Sequence, residues 1–88
     1  MKRNSNFLLQ DVAGTRVIVP VAEAVTEFPG MITVNETGAY IWQLLECEQT
    51  VQTLAEAITD RYEVTPEQAT ADVEAFLSQL RPTGALVD

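Results

Sequence analysis

The sequence predicts an α+β fold, winged-helix-like, in which an N-terminal three-stranded antiparallel sheet is followed by a three-helix bundle. Three observations predict it. β-Branched residues crowd into the first third of the chain, most densely at Arg16-Val17-Ile18-Val19-Pro20-Val21. From Glu36 onward, apolar residues recur at helical spacing instead. Asn35, Thr50 and Thr65 each stand where a helix cap is needed and divide that second part into three. At 88 residues, the chain is expected to form one domain spanning 1–88, with a single modest core.

Phe7-Leu8-Leu9-Gln10-Asp11-Val12 is the first predicted strand, with Phe7 and Leu9 on one face. Ala13-Gly14-Thr15 is a turn signal, so Arg16 to Val21 should return as the second arm of a hairpin. Pro20 has no amide to give a ladder, which suits a strand end, a bulge or an outward-facing edge. Residues 22–27 fit either an extension of the second strand or a loop. Pro29-Gly30 suits the centre of a type II turn. Met31 to Val34 follows as a short third strand, with Ile32 and Val34 on one face and Met31 and Thr33 on the other. Short connections favour a meander with this third strand at one side.

Asn35 caps a helix from about Glu36 to Glu46, because its side-chain oxygen can accept from the orphaned amides of the first turn. Gly38, Ile41, Trp42 and Leu45 form its core stripe, and Tyr40 and Leu44 an adjacent row. Gly38 is a poor helix former that would let another backbone approach closely. Thr50 opens the second helix, with Val51, Leu54, Ala55, Ile58 and Tyr62 at helical spacing. Thr65-Pro66-Glu67-Gln68 opens the third, reading as an N-cap, a proline at the first position and a glutamine that completes a capping box. Ala69, Val73, Phe76, Leu77 and Leu80 are its stripe. Pro82 and Gly84 end it, and Ala85-Leu86-Val87 should fold back on the body.

The composition narrows the function. Net charge is −8, and residues 1–34 are balanced, with Lys2, Arg3 and Arg16 against Asp11, Glu23 and Glu27. The helical part therefore carries the whole excess, which repels phosphates and favours a basic or neutral partner. A DNA-recognition helix needs Arg or Lys, whereas the third helix offers Glu67, Asp72 and Glu74 and only Arg81 at its end. Histidine is absent and Cys47 is the single cysteine, which removes the usual zinc sites and nucleophile–histidine relays. Glu36 and Thr37 beside a helix start are accounted for by capping and the helix dipole. No spacing pairs two carboxylates for acid/base work, so the chain is not read as an enzyme. No metal or cofactor is called for. No uncharged apolar run approaches a membrane span, and Phe7-Leu8-Leu9 is too short for a signal-peptide core, so a cytoplasmic location is expected.

Several blocks together resemble a known family. Val19-Pro20 is followed by Gly30-Met31-Ile32-Thr33-Val34-Asn35-Glu36-Thr37-Gly38-Ala39-Tyr40-Ile41-Trp42-Gln43-Leu44-Leu45. Thr50-Val51 with Leu54, Asp72-Val73 with Phe76-Leu77, and Gly84-Ala85-Leu86 complete the pattern. The chain is similar in these blocks to the PqqD family, the coenzyme PQQ synthesis protein D-like peptide-modification chaperones also called RiPP recognition elements. Val34 replaces the usual Leu, Pro82-Thr83 interrupts the run into the final glycine, and Thr53 replaces a frequent acidic residue, which would forfeit a capping box on the second helix.

The resemblance implies a non-catalytic chaperone. Family members bind the leader segment of a ribosomally synthesised precursor peptide and present it to a modifying enzyme, frequently a radical S-adenosylmethionine enzyme. The leader adds as a strand beside the third strand and lies against the third helix. That implies peptide-binding roles here for Met31, Ile32, Thr33 and Val34, and for Asp72, Ala75, Phe76 and Gln79. Strand addition is physically sound, since an edge strand's unpaired backbone groups are satisfied by the arriving peptide. The same edge and the N-terminal hairpin also invite a homodimer. The alternatives weighed are a winged-helix DNA-binding domain and a protein–protein adaptor.

Overall fold

A computed structural model describes residues 1–27 and 30–87 of the chain. The expected type II turn rests partly on Pro29 and so lies outside the described residues. In chain order the elements are β1 (Lys2–Arg3), β2 (Phe7–Val12), β3 (Thr15–Pro20), α1 (Ala24–Glu27), β4 (Ile32–Thr33), α2 (Glu36–Leu44), α3 (Val51–Arg61), α4 (Pro66–Leu80) and β5 (Leu86–Val87). A single 3-10 turn, Arg81–Thr83, joins α4 to β5.

β2, β3 and β4 form the expected antiparallel meander, in that order, with β4 at one edge. Val12 pairs with Thr15 across a two-residue turn, where Ala13 and Gly14 take φ of 53° and 83°. Both positive values match the handedness a tight hairpin requires, and the alanine bears strain that the glycine does not. Pro20 is the last residue of β3, opposite Phe7, so a strand end is the place its missing amide selects. Ala24–Glu27 is one helical turn, which is neither of the two readings for that segment.

Phe7, Ile18, Ile32 and Val34 project from one face of the sheet into the core. Ala39, Ile41, Trp42 and Leu45 of the α2 segment, Leu54 and Ile58 of α3, and Ala69, Val73, Phe76, Leu77 and Leu80 of α4 meet them there. Every residue of the two predicted stripes on α2 and α4 is buried. α3 and α4 pack side by side, and α2 packs against both. Gly84, with φ of 84°, turns the chain out of α4 and sends Ala85 into the core.

The chain's two ends meet in a way that the spacing did not announce. β1 pairs antiparallel with β5, Lys2 opposite Val87 and Arg3 opposite Leu86. Arg3 N donates to Leu45 O at 2.8 Å, and Gln49 N donates to Met1 O at 2.8 Å, so this ribbon also straps the α2–α3 connection. Arg3 donates a further bond from its guanidinium to Trp42 O at 3.1 Å and lies 5.8 Å from the Trp42 ring centre.

Two cap expectations are corrected. α3 does have a capping box, made by threonine in place of the acid: Thr53 N donates to Thr50 Oγ1 at 3.1 Å, and Thr50 N donates to Thr53 Oγ1 at 2.9 Å. A hydroxyl accepts the amide as a carboxylate would, and Thr53 gives its own proton to Gln49 Oε1 at 2.8 Å. α4 has only half of its box. Gln68 N donates to Thr65 Oγ1 at 3.1 Å, but the Gln68 side chain turns away and donates to Asp72 Oδ1 at 2.8 Å. Replacing Thr53 by Val keeps the shape and removes the reciprocal bond, so unfolding in urea should show a loss of about 1 kcal/mol. An unchanged transition would mean that the Thr50–Thr53 box does not hold α3.

Candidate functional site

β4 is bonded on one side only. Its pairing with β3 places Thr33 opposite Val17 and Ile32 opposite Ile18, and Val34 N donates to Arg16 O at 3.0 Å. In an antiparallel ladder alternate residues bond to the neighbour, so Ile32 and Val34 face β3. The amide and carbonyl of Thr33, and by the same alternation those of Met31, point out of the sheet. Neither residue's backbone bonds to any other described residue. β4 is thus a short row of backbone donors and acceptors open to solvent.

Beside that row is a cleft of about 490 Å³, walled by β4, the start of α2 and the outer stripe of α4. Asp72, Ala75, Phe76 and Gln79 line it, as do Thr33 and Val34. Their spacing on α4 is i, i+3, i+4 and i+7, which puts all four on one helical stripe. Six of the eight residues implied by the resemblance therefore border one cavity. Ile32 does not, because its side chain is core, and neither does Met31, whose side chain is 59% exposed. Met31 brings its backbone to the open edge, whereas the backbone of Ile32 is bonded to β3.

The α2 wall comes from residues that the sequence reading did not assign to a site: Asn35, Thr37, Gly38 and Ile41. Gly38 was the available signal. A Cβ at that position would stand 3.0 Å from Phe76 Cε1 and 3.3 Å from Cδ1, so the close approach is made by an aromatic ring and not by a second backbone. The glycine is a notch that admits the Phe76 ring beside α2, and the same residue lines the cleft. Asn35 Oδ1 accepts from Gly38 N at 2.8 Å, which fixes the notch and caps α2 in one contact.

Polar groups rim an apolar floor. Phe76, Val34 and Ile41 are buried, while Thr33, Asn35, Ala75 and Gln79 are exposed at the mouth. Among the described residues Asp72 is the one charged lining residue, half-buried, and the bond from Gln68 holds its carboxylate in place. The uncapped half of the α4 box therefore has a compensating use. A groove of about 520 Å³ also separates α3 and α4 near Val51, Ala55 and Pro66. Volume does not distinguish the two; the free strand edge does, since only the first cleft adjoins unsatisfied backbone.

Among the described residues, no group of three or more His, Cys, Asp or Glu side chains is placed to hold a metal ion. No described helix is long and apolar enough to cross a membrane.

Comparison with known proteins adds to this geometry. No curated protein matches the chain. Two solved structures share its fold at 20% identity: "Lasso peptide synthetase B1 complexed with the leader peptide", with a TM-score of 0.73 over 99% of this chain and 96% of that one; and "TbiB1 in Complex with the TbiA(beta) Leader Peptide", with a TM-score of 0.74 over the whole of both. The family model of coenzyme PQQ synthesis protein D matches residues 16–86, a span that runs from β3 through β4 and the cleft to β5, and the chain accordingly belongs to the PqqD family.

Proposed function

We propose that the chain is a non-catalytic recognition chaperone that binds the leader segment of a ribosomally made precursor peptide by strand addition to β4. The single observation that carries this reading is the outward-facing backbone of Met31 and Thr33 beside a cleft of side-chain size. An extended peptide laid along β4 exchanges main-chain bonds with those two residues, and every second side chain then points into the cleft. Phe76, Val34 and Ile41 receive an apolar side chain. Asp72, fixed by Gln68, receives a basic or hydrogen-bonding one. Both structural neighbours are described as bound to leader peptides, which supports the same role here.

The chaperone holds the leader while a modifying enzyme acts on the rest of the precursor. The family resemblance supports a radical S-adenosylmethionine enzyme or another peptide-modifying enzyme in that role. Asp72, Ala75, Phe76 and Gln79, with residues 31–34, are the proposed contact set.

Thr33→Pro is the sharpest test of the mode of binding. It deletes one outward amide, and the β3 ladder does not use that amide, so the fold should persist. Calorimetric titration with the synthetic leader of a precursor encoded beside this chain should then show affinity reduced about tenfold or more. Wild-type affinity in this variant would rule out strand addition at β4.

Gly38→Ala probes the cleft floor separately. Crowding against Phe76 opposes the better helix preference of Ala, so stability should change by less than about 1 kcal/mol. A displaced ring reshapes the cleft it lines, and leader affinity should fall in the same titration. Unchanged affinity would place the leader's side chains elsewhere.

A further inference from the structure

The sheet has a second open side. β2 is the edge opposite β4, and it is the longer of the two. Val21 N donates to Asn6 O at 2.7 Å, which sets the phase of the β2–β3 ladder: Leu8, Gln10 and Val12 bond to β3, and the backbone groups of Leu9 and Asp11 face outward. No other described residue's backbone meets them. Edges are commonly protected by charged side chains, by Pro or by a bulge, and from Phe7 to Val12 β2 has of these only Asp11. A groove of about 400 Å³ runs between β2 and α2, with Leu9 and Trp42 in its wall and Arg3 as its one charged residue among those described.

We propose that β2 is a self-association surface, on which two copies of the chain pair their β2 strands antiparallel about a two-fold axis at Leu9. Each Leu9 exchanges its outward amide and carbonyl with the other copy's Leu9. Phe7 comes opposite Asp11 of the second copy, and the two leucine side chains meet on the inner face at the groove. A two-fold interface must be complementary to itself, and this one is. Arg3 lines the groove with Phe7, and Phe7 comes opposite Asp11 of the second copy, so the proposed pairing sets each guanidinium near a carboxylate that otherwise accepts, among the described residues, only from Gly14 N.

Charge selects a second copy and selects this edge. The whole excess of −8 lies beyond residue 34, on the helical part, while residues 1–34 are balanced. Two such chains repel through their helices and meet without net repulsion only along the N-terminal hairpin. Pairing through β4 would instead set Asp72 and Glu36 of one copy near those of the other. The β2 dimer leaves both β4 edges free, so it is independent of leader binding.

The test is sedimentation velocity of the full chain in physiological salt, from low micromolar to millimolar concentration, with amide NMR spectra across the same range. A monomer–dimer equilibrium is expected, with the amides of Leu9 and Asp11 moving with concentration and those of Met31 and Thr33 still. Arg3→Glu should weaken the dimer about tenfold, and Asp11→Arg in the same chain should restore it. Because Arg3 also braces Trp42, Gln10→Lys at an exposed site supplies a second arm and should weaken the dimer too. A monomer at every concentration overturns the proposal. So does a dimer whose concentration-dependent amides lie on β4 or on the helices.

Discussion

One constraint organises this molecule: a backbone amide or carbonyl taken out of water must find a partner. Around the core that constraint is met internally, through the ladders, the three caps and the ribbon of β1 and β5. At β4 it is left to solvent, so Thr33 and Met31 keep hydrogen-bonding capacity that a strand-forming ligand can use without disturbing the fold. The short length of β4 matters here. Its two paired residues hold it in the sheet through Ile32 and Val34, whose side chains are core, while the alternate backbone groups do no structural work.

The cleft follows from the way α2 and α4 meet. Gly38 removes a side chain where Phe76 would collide, and the ring settles into the gap. The contact that makes the core compact thus also floors the cleft. Asp72 reaches the rim because α4 presents a second stripe, one step around from its core stripe, and Gln68 holds the carboxylate there in place of closing the helix cap. Rigidity at the site is thereby drawn from helix–helix packing. The strap at the other end of the molecule, where Arg3 bonds to Leu45 and Trp42, anchors α2 from the opposite side.

Much of this was legible in the residues, for definite reasons. Alternation in Phe7–Val12 and β-branching in Arg16–Val21 gave the hairpin, and Asn35, Thr50 and Thr65 marked the starts of α2, α3 and α4, because a short polar side chain before an apolar periodic run has few other uses. Helix stripes were read correctly because burial enforces the period. Pairing of Lys2–Arg3 with Leu86–Val87 could not be read, since two-residue strands carry no periodicity and their partners lie at opposite ends of the chain. The single turn of α1 was equally silent. Thr53 has no acidic side chain to signal a box with Thr50, yet its hydroxyl suffices as the reciprocal partner. The α4 side of the cleft entered through family resemblance and stands on one stripe in the structure, whereas the α2 side was missed. Gly38 was assigned a neighbouring backbone, and the neighbour is Phe76.

Amide hydrogen exchange at β4 tests the central claim most directly. In the free chain, the amides of Met31 and Thr33 should exchange quickly while those of Ile32 and Val34, bonded to β3, exchange slowly. Saturation with the cognate leader should slow Met31 and Thr33 to the rate of their neighbours. If the leader binds and those two amides still exchange as in the free chain, the leader does not complete the sheet at β4.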